Sequence, residues 1–122
     1  LEDHPMHAEW GRLSERELST IRESQHAGGR VVAVGTTSAR LLEPASASGE
    51  LACWEGTTDI FIAPPYVFRS TDGLMTNFHL PRSTLLVMVR TFGGDELVRR
   101  AYDEAIDEGY RFYSYGDAML IL

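Results

Sequence analysis

Apolar and polar positions alternate along this chain in two periods, and the change of period divides it into elements. Ser14-Glu15-Arg16-Glu17 has the Ser-x-x-Glu form of a capping box, and Leu13, Leu18 and Ile21 follow at helical spacing until Gly28-Gly29. The pattern predicts a weakly amphipathic helix there. Arg30-Val31-Val32-Ala33-Val34 is short, β-branched and almost continuously apolar, which predicts a strand buried on both faces. Gly35-Thr36-Thr37-Ser38-Ala39-Arg40 is a small polar turn, and Leu41-Leu42-Glu43 reads as a short helix stopped by Pro44.

Beyond it, Ala45-Ser46-Ala47-Ser48-Gly49 reads as an exposed connector. Strands are expected over residues 51–54, 59–63 and 66–69, with Glu55-Gly56-Thr57-Thr58 as a turn and Pro64-Pro65 as a break. Ser70-Thr71-Asp72-Gly73 is a further turn signal. Residues 82–92 predict a mostly apolar helix ended by Gly93-Gly94. Asp95 caps the next helix, in which Leu97, Val98, Ala101, Tyr102, Ala105 and Ile106 keep 3.6-residue spacing. Its Asp103, Glu104, Asp107 and Glu108 read as a solvated outer face. Residues 110–115 alternate like a strand, and 118–122 form a final apolar run. Strands alternating with helices make the chain α/β, and the clustered strands between them make its sheet mixed.

Composition narrows the function classes. The 122 residues suit one domain or a piece of one, and Leu1-Glu2-Asp3-His4 resembles no leader, which suggests a longer parent chain. No apolar run approaches the roughly 20 residues of a membrane helix, so a soluble chain is expected. The lone Cys53 can form no internal disulfide, which fits a reducing cytoplasm, and Leu51-Ala52-Cys53-Trp54 suggests a buried thiol. A net charge of −7 argues against nonspecific nucleic-acid binding. All 11 basic side chains are Arg, which suits forked phosphate or carboxylate recognition, but the arginine codon bias of a GC-rich genome is the simpler explanation.

Three stretches carry candidate chemistry. His4, His7 and Glu9 are metal-capable residue types, but their spacing matches no strong metal motif; residues two apart on an extended segment share a side, which suits paired acid–base contacts. The Gly35–Arg40 turn places backbone N–H groups and a helix N-terminus at the carboxyl edge of a sheet, where anionic or nucleotide ligands bind; alternatively Thr37 or Ser38 is an ordinary N-cap. It lacks the Gly-x-x-x-x-Gly-Lys of a P-loop. Thr76-Asn77-Phe78-His79-Leu80-Pro81-Arg82-Ser83-Thr84 gathers hydroxyl, amide, imidazole and guanidinium groups just before an apolar helix. Such groups hydrogen-bond to water or to their own backbone unless a cap or a ligand satisfies them. No Gly-x-Ser-x-Gly elbow is present, so an α/β hydrolase is a weak reading.

Together with Met6-His7-Ala8-Glu9 and Tyr110-Arg111-Phe112-Tyr113-Ser114-Tyr115-Gly116-Asp117-Ala118-Met119, these runs occur in the order found in the C-terminal part of S-adenosylmethionine:tRNA ribosyltransferase-isomerases of queuosine biosynthesis. The chain resembles that family over almost its whole length. One departure is Pro64-Pro65-Tyr66, where the family pattern has Pro-Gly-Tyr.

The resemblance implies an α/β/α layered domain with a mixed sheet. Residues 1–122 would be the C-terminal part of this catalytic domain, without the N-terminal part of the parent chain or the family's separate β-barrel domain. It implies a cytoplasmic enzyme that transfers the ribosyl group of S-adenosylmethionine to 7-aminomethyl-7-deazaguanine at the tRNA wobble position. The ribosyl group is isomerised to the epoxide of epoxyqueuosine, and adenine and methionine leave. S-adenosylmethionine is then a substrate, tRNA a partner, and no metal is expected.

On that resemblance, His7 or Glu9 is the base and His79 the acid or orienting donor. Thr36, Thr37, Ser38 and Thr76 would meet the nucleoside or the methionine carboxylate, and Asn77 a base or ribose edge. Arg40 or Arg82 would meet a carboxylate or a phosphate. The alternative is a noncatalytic nucleotide-binding or assembly fragment.

Overall fold

The structure is a computed structural model that describes residues 8–80, 83–112 and 116–122. It is α/β with two sheets. Strand β1 (Glu9–Leu13) pairs antiparallel with β3 (Trp54–Thr58), from Glu9 opposite Thr58 to Leu13 opposite Trp54. In the second sheet β4 (Gly73–Asn77) is central, parallel to β2 (Val32–Val34) and antiparallel to β5 (Ala118–Ile121). The mixed sheet expected from the alternation of elements is therefore present.

Four helices complete the described chain: α1 (Glu15–His26), α2 (Thr36–Ala45), α3 (Thr84–Gly93) and α4 (Asp95–Asp107). Local chemistry sets their starts. The Ser14 hydroxyl accepts from the Glu17 N–H while the Glu17 carboxylate accepts from Ser14, the reciprocal capping box read in the sequence. Ser83 caps α3 by accepting from the Leu86 N–H at 3.1 Å. Asp95 does not cap α4: Gly94 holds that position, and Asp95 is the first helical residue, paired with Arg90 at 3.1 Å. Among the described residues no helix is long and apolar enough to cross a membrane.

The main core joins Ala33 and Leu74 of the sheet to Ala39 of α2, Met88 and Val89 of α3, and Val98, Tyr102 and Ala105 of α4. A smaller cluster ties Leu18 of α1 to Ala45 and Leu51. Strand β2 is not buried on both faces. Ala33 enters the core, but Val32 and Val34 are exposed, because a period-two strand turns them to the other side of the sheet. Similarly, Leu97 and Ile106 of α4 are exposed, since that helix buries only the face bearing Val98, Tyr102 and Ala105.

Tertiary contacts overrode several local signals. Helix α2 begins at Thr36 and carries Pro44 inside its last turn rather than ending before it. Ala45 and Ser46 are buried, so the exposed part of the expected connector is confined to residues 47–49. Only one strand forms where three were expected, and it spans the predicted turn at 55–58, because pairing with β1 decides its register. Residues 59–63 form no strand, yet Ile62 is fully buried. Residues 66–69 also form none: Tyr66 packs edge-on to Phe68 at 5.3 Å, and Phe68 onto Phe92 at 4.9 Å. Cys53 is exposed, contrary to expectation. Residues 110–112 are not in a strand, and 113–115 lie outside the described residues.

Candidate functional site

Parallel pairing of β2 with β4 sets their carboxyl ends at one edge of the sheet, with Val34 opposite Met75. The Gly35 N–H donates to the Met75 carbonyl at 2.7 Å and locks the two exits together. Strand β5 runs the other way, so its first residue, Ala118, pairs with Asn77 at the same edge. The fold thus gathers the Gly35–Arg40 turn, the chain around Thr76–His79 and Gly116-Asp117, although they are far apart in sequence. Ligands of open α/β sheets bind at such carboxyl edges.

At the first of these segments, Gly35 takes φ 91° and ψ 149°, open to a residue without Cβ, and the chain turns directly into α2. Neither Thr37 nor Ser38 is an N-cap: Gly35 holds that position without a side-chain bond. The Ser38 hydroxyl donates back to the Val34 carbonyl at 2.9 Å. Thr37 donates to Glu9 Oε1 at 3.1 Å, and Arg40 Nη1 donates to Glu9 Oε2 at 2.9 Å. Arg40 Nε also reaches the Ile60 carbonyl at 3.4 Å. The Arg40 side chain is only 4% exposed whereas that of Glu9 is 34% exposed, so the guanidinium is an interior anchor and the carboxylate is the part open to solvent. Thr36 opens α2 at the same edge and is half-buried.

The second segment is held from two sides. Thr76 Oγ1 lies 2.8 Å from His79 Nε2, and the His79 backbone N–H donates to the Tyr102 hydroxyl at 2.8 Å. Burial holds the His79 imidazole below its ordinary pKa, so it is neutral at pH 7. Burial likewise raises the Tyr102 phenol, and the His79 N–H offsets this only in part. Asn77 Nδ2 donates to the Asp117 carbonyl at 3.2 Å, and the Asp117 carboxylate accepts from the Arg111 N–H at 2.6 Å.

The candidates therefore form two groups, Glu9 with Thr37 and Arg40, and Thr76 with His79. They are joined through the Gly35 to Met75 bond; among the described residues no hydrogen bond runs directly between them. His4, His7 and Arg82 lie outside the described residues. Among those described, no group of three or more His, Cys, Asp or Glu could hold a metal ion. A groove of about 610 Å³ takes in Val34 and Ser38 at this edge, with Ile21, Leu41 and Trp54, but not Glu9, Thr37 or His79.

Sequence reasoning missed three participants. Tyr102 fits the apolar stripe of α4, and only its hydroxyl position reveals a contact with His79. Asp117 could have been suspected from its place after Gly116 within a run that carries the resemblance. Glu43 had no local signal. Its carboxylate is buried and accepts from Tyr66 Oη, Arg69 N, Ser70 N, Ser70 Oγ and Thr71 Oγ1 at 2.7–3.1 Å. Burial pushes its pKa up, but those bonds together bring it below the ordinary value.

The sequence pattern of the family described as queuosine biosynthesis protein matches residues 1–121. A protein of Ruegeria pomeroyi named S-adenosylmethionine:tRNA ribosyltransferase-isomerase is 56% identical over 119 residues, 98% of this chain and 34% of that relative. One of the same name from Cupriavidus metallidurans is 54% identical over 122 residues, 99% of this chain and 35% of the relative. The chain thus spans about a third of the length of the curated relatives it matches. The crystal structure of an S-adenosylmethionine tRNA ribosyltransferase from Thermotoga maritima superposes with a TM-score of 0.86 at 48% identity, covering 93% of this chain and 40% of that one. On sequence and fold alike, this chain belongs to the queuosine biosynthesis protein family.

Proposed function

We propose that this chain supplies part of the active site of a tRNA ribosyltransferase-isomerase. The enzyme would transfer the ribosyl group of S-adenosylmethionine to 7-aminomethyl-7-deazaguanine at the tRNA wobble position and isomerise it, releasing adenine and methionine. The observation that carries this reading is the convergence of the turn at Gly35 and the Thr76–His79 segment on one carboxyl edge, in a chain whose relatives bear the name of that activity.

Such a reaction needs a base for the proton on the carbon beside the sulfonium, a donor for departing adenine, and polar groups that orient the nucleoside. Glu9 offers a partly exposed carboxylate held from behind by Arg40 and Thr37, and His7 is the other candidate base. Here Arg40 serves as the anchor of Glu9. His79 offers a neutral, half-buried imidazole suited to orienting a leaving base by a hydrogen bond; acting as its acid would need the protonated ring, which burial disfavours. Thr36 and the N-terminus of α2 face the edge where a nucleoside or the methionine carboxylate would sit. Asn77 would read a base or ribose edge.

The test uses a chimera in which this chain replaces the matching third of the Ruegeria pomeroyi relative. His7, Glu9 and His79 are changed singly to Ala or Gln, and adenine release is followed with tRNA bearing the aminomethyl base. A loss of kcat on the order of 10²-fold or more is expected for at least one variant. Wild-type turnover by all three, with unchanged circular dichroism, overturns the assignment.

A further inference from the structure

With His79 taken as a site residue, as proposed above, its contacts decide which of its nitrogens works and in which form. We propose that the Thr76 hydroxyl donates a hydrogen bond to His79 Nε2, fixing the neutral ring as the Nδ1–H tautomer, so that His79 meets substrate as a hydrogen-bond donor aimed at an acceptor atom of a nucleoside.

Leu74 and Thr76 are two apart on β4, so both side chains face the core, and both are buried. A buried hydroxyl carries one proton that must find an acceptor. Among the described residues the Thr76 side chain has one hydrogen-bonding partner, His79 Nε2 at 2.8 Å. Were Nε2 protonated, Thr76 would accept and its own proton would be left buried without an acceptor, a costly arrangement. The low-energy assignment is Thr76 O–H to a bare Nε2. A neutral imidazole then carries its proton on Nδ1, the tautomer being set by the bond made at the other nitrogen. Burial of the ring keeps it neutral near pH 7, in agreement.

Position follows from two further contacts. The Tyr102 hydroxyl accepts the His79 backbone N–H at 2.8 Å, and the Tyr102 ring is wedged edge-on against Phe78 at 5.2 Å and Phe112 at 5.9 Å. The main chain of His79 is thereby fixed by α4 and its ring by β4. Among the described residues Nδ1 has no protein partner, and no buried side-chain nitrogen or oxygen lacks one, so Nδ1 lies at the solvent-reachable side of the ring. Thr76, read from sequence as a ligand contact, becomes a positioning residue acting through His79.

The test uses the same chimera labelled with ¹⁵N-histidine. Two-bond ¹H–¹⁵N correlation spectra at pH 7.5 are expected to show His79 as the Nδ1–H tautomer. Thr76→Val should move it toward Nε2–H and lower kcat about tenfold or more with KM little changed. Thr76→Ser, which keeps the hydroxyl, should restore both. S-adenosylmethionine and the modified tRNA, added separately, should shift the Nδ1 resonance with one of them, which identifies whose nucleoside carries the acceptor.

An Nε2–H tautomer in the wild type, a tautomer unmoved by Thr76→Val, or an Nδ1 signal shifted by neither substrate overturns the inference. Those results would leave the functional reading standing if His79→Gln still abolished adenine release. Full turnover by His79→Gln with the Nδ1–H tautomer intact would instead overturn the role of His79.

Discussion

Replacing Glu43 by Gln is the sharpest probe of how this fold holds its site, because α2 carries both the Gly35 turn and the buried Glu43. The carboxylate accepts five hydrogen bonds: Tyr66 Oη and Arg69 N at Oε1, and Ser70 N, Ser70 Oγ and Thr71 Oγ1 at Oε2. A glutamine amide has the same shape but accepts at one end only. With its oxygen toward Tyr66 and Arg69, its NH₂ confronts the Ser70 N–H. The Ser70 and Thr71 hydroxyls can rotate to accept, but a backbone N–H cannot. Flipping the amide transfers the conflict to Arg69. Either way one backbone donor is orphaned, at about 1–3 kcal/mol, and the remaining bonds lose their charge assistance, so a total of about 2–4 kcal/mol is expected.

That is a large fraction of the roughly 5–15 kcal/mol by which a domain is stable. Urea unfolding followed by circular dichroism should show a lower midpoint with the slope unchanged. The pH dependence has a definite sign. The folded-state pKa of Glu43 lies below its unfolded value, so its contribution is present above about pH 4.3 and is lost as pH falls through the lowered folded value. The gap between wild type and Glu43→Gln should therefore persist from pH 7 to pH 5 and close under stronger acid. A gap below about 0.5 kcal/mol at pH 7 would refute the view that these bonds hold α2 against residues 66–71.

Tyr66→Phe keeps the ring against Phe68 and removes one donor to Glu43, so it should cost about 1–2 kcal/mol in the same urea assay, less than Glu43→Gln. Gly35→Ala meets no steric neighbour within 4 Å, yet it forces a side chain onto φ 91° and ψ 149°; a loss of about 1–3 kcal/mol is expected, and an unchanged melt would show that the turn relaxes. Cys53 is exposed and should react with a thiol reagent in the native protein as fast as in urea; protection in the native state would contradict its placement.

The sequence alone revealed what near neighbours in the chain decide. The Ser14 capping box and the glycine stops rest on contacts within a few residues, and the helices α3 and α4 on apolar periodicity, although Leu97 and Ile106 of the α4 pattern are exposed. The motifs that carry the family are also contiguous runs, so membership was legible in the sequence and the comparisons agree. Strand placement between residues 51 and 69 was not legible. Trp54–Thr58 is a strand because β1, more than forty residues earlier, supplies its ladder, whereas the β-branched run at 59–63 finds no partner strand among the described residues.

The site followed the same division. That Glu9, Thr37 and His79 bear useful chemistry could be argued from residue type and resemblance. That Glu9 is held by a buried Arg40, that Thr37 and Ser38 are spent on Glu9 and Val34 rather than on capping, and that Thr76 grips His79 were decided by side chains converging from separate elements. Glu43 is the extreme case: its burial is tolerable only because residues 66–71 close over it with five donors, and no local pattern announces a partner more than twenty residues away. Short-range propensity and periodicity determined where most helices begin and end; the satisfaction of buried polar groups, a property of the whole packed chain, decided what each functional residue faces.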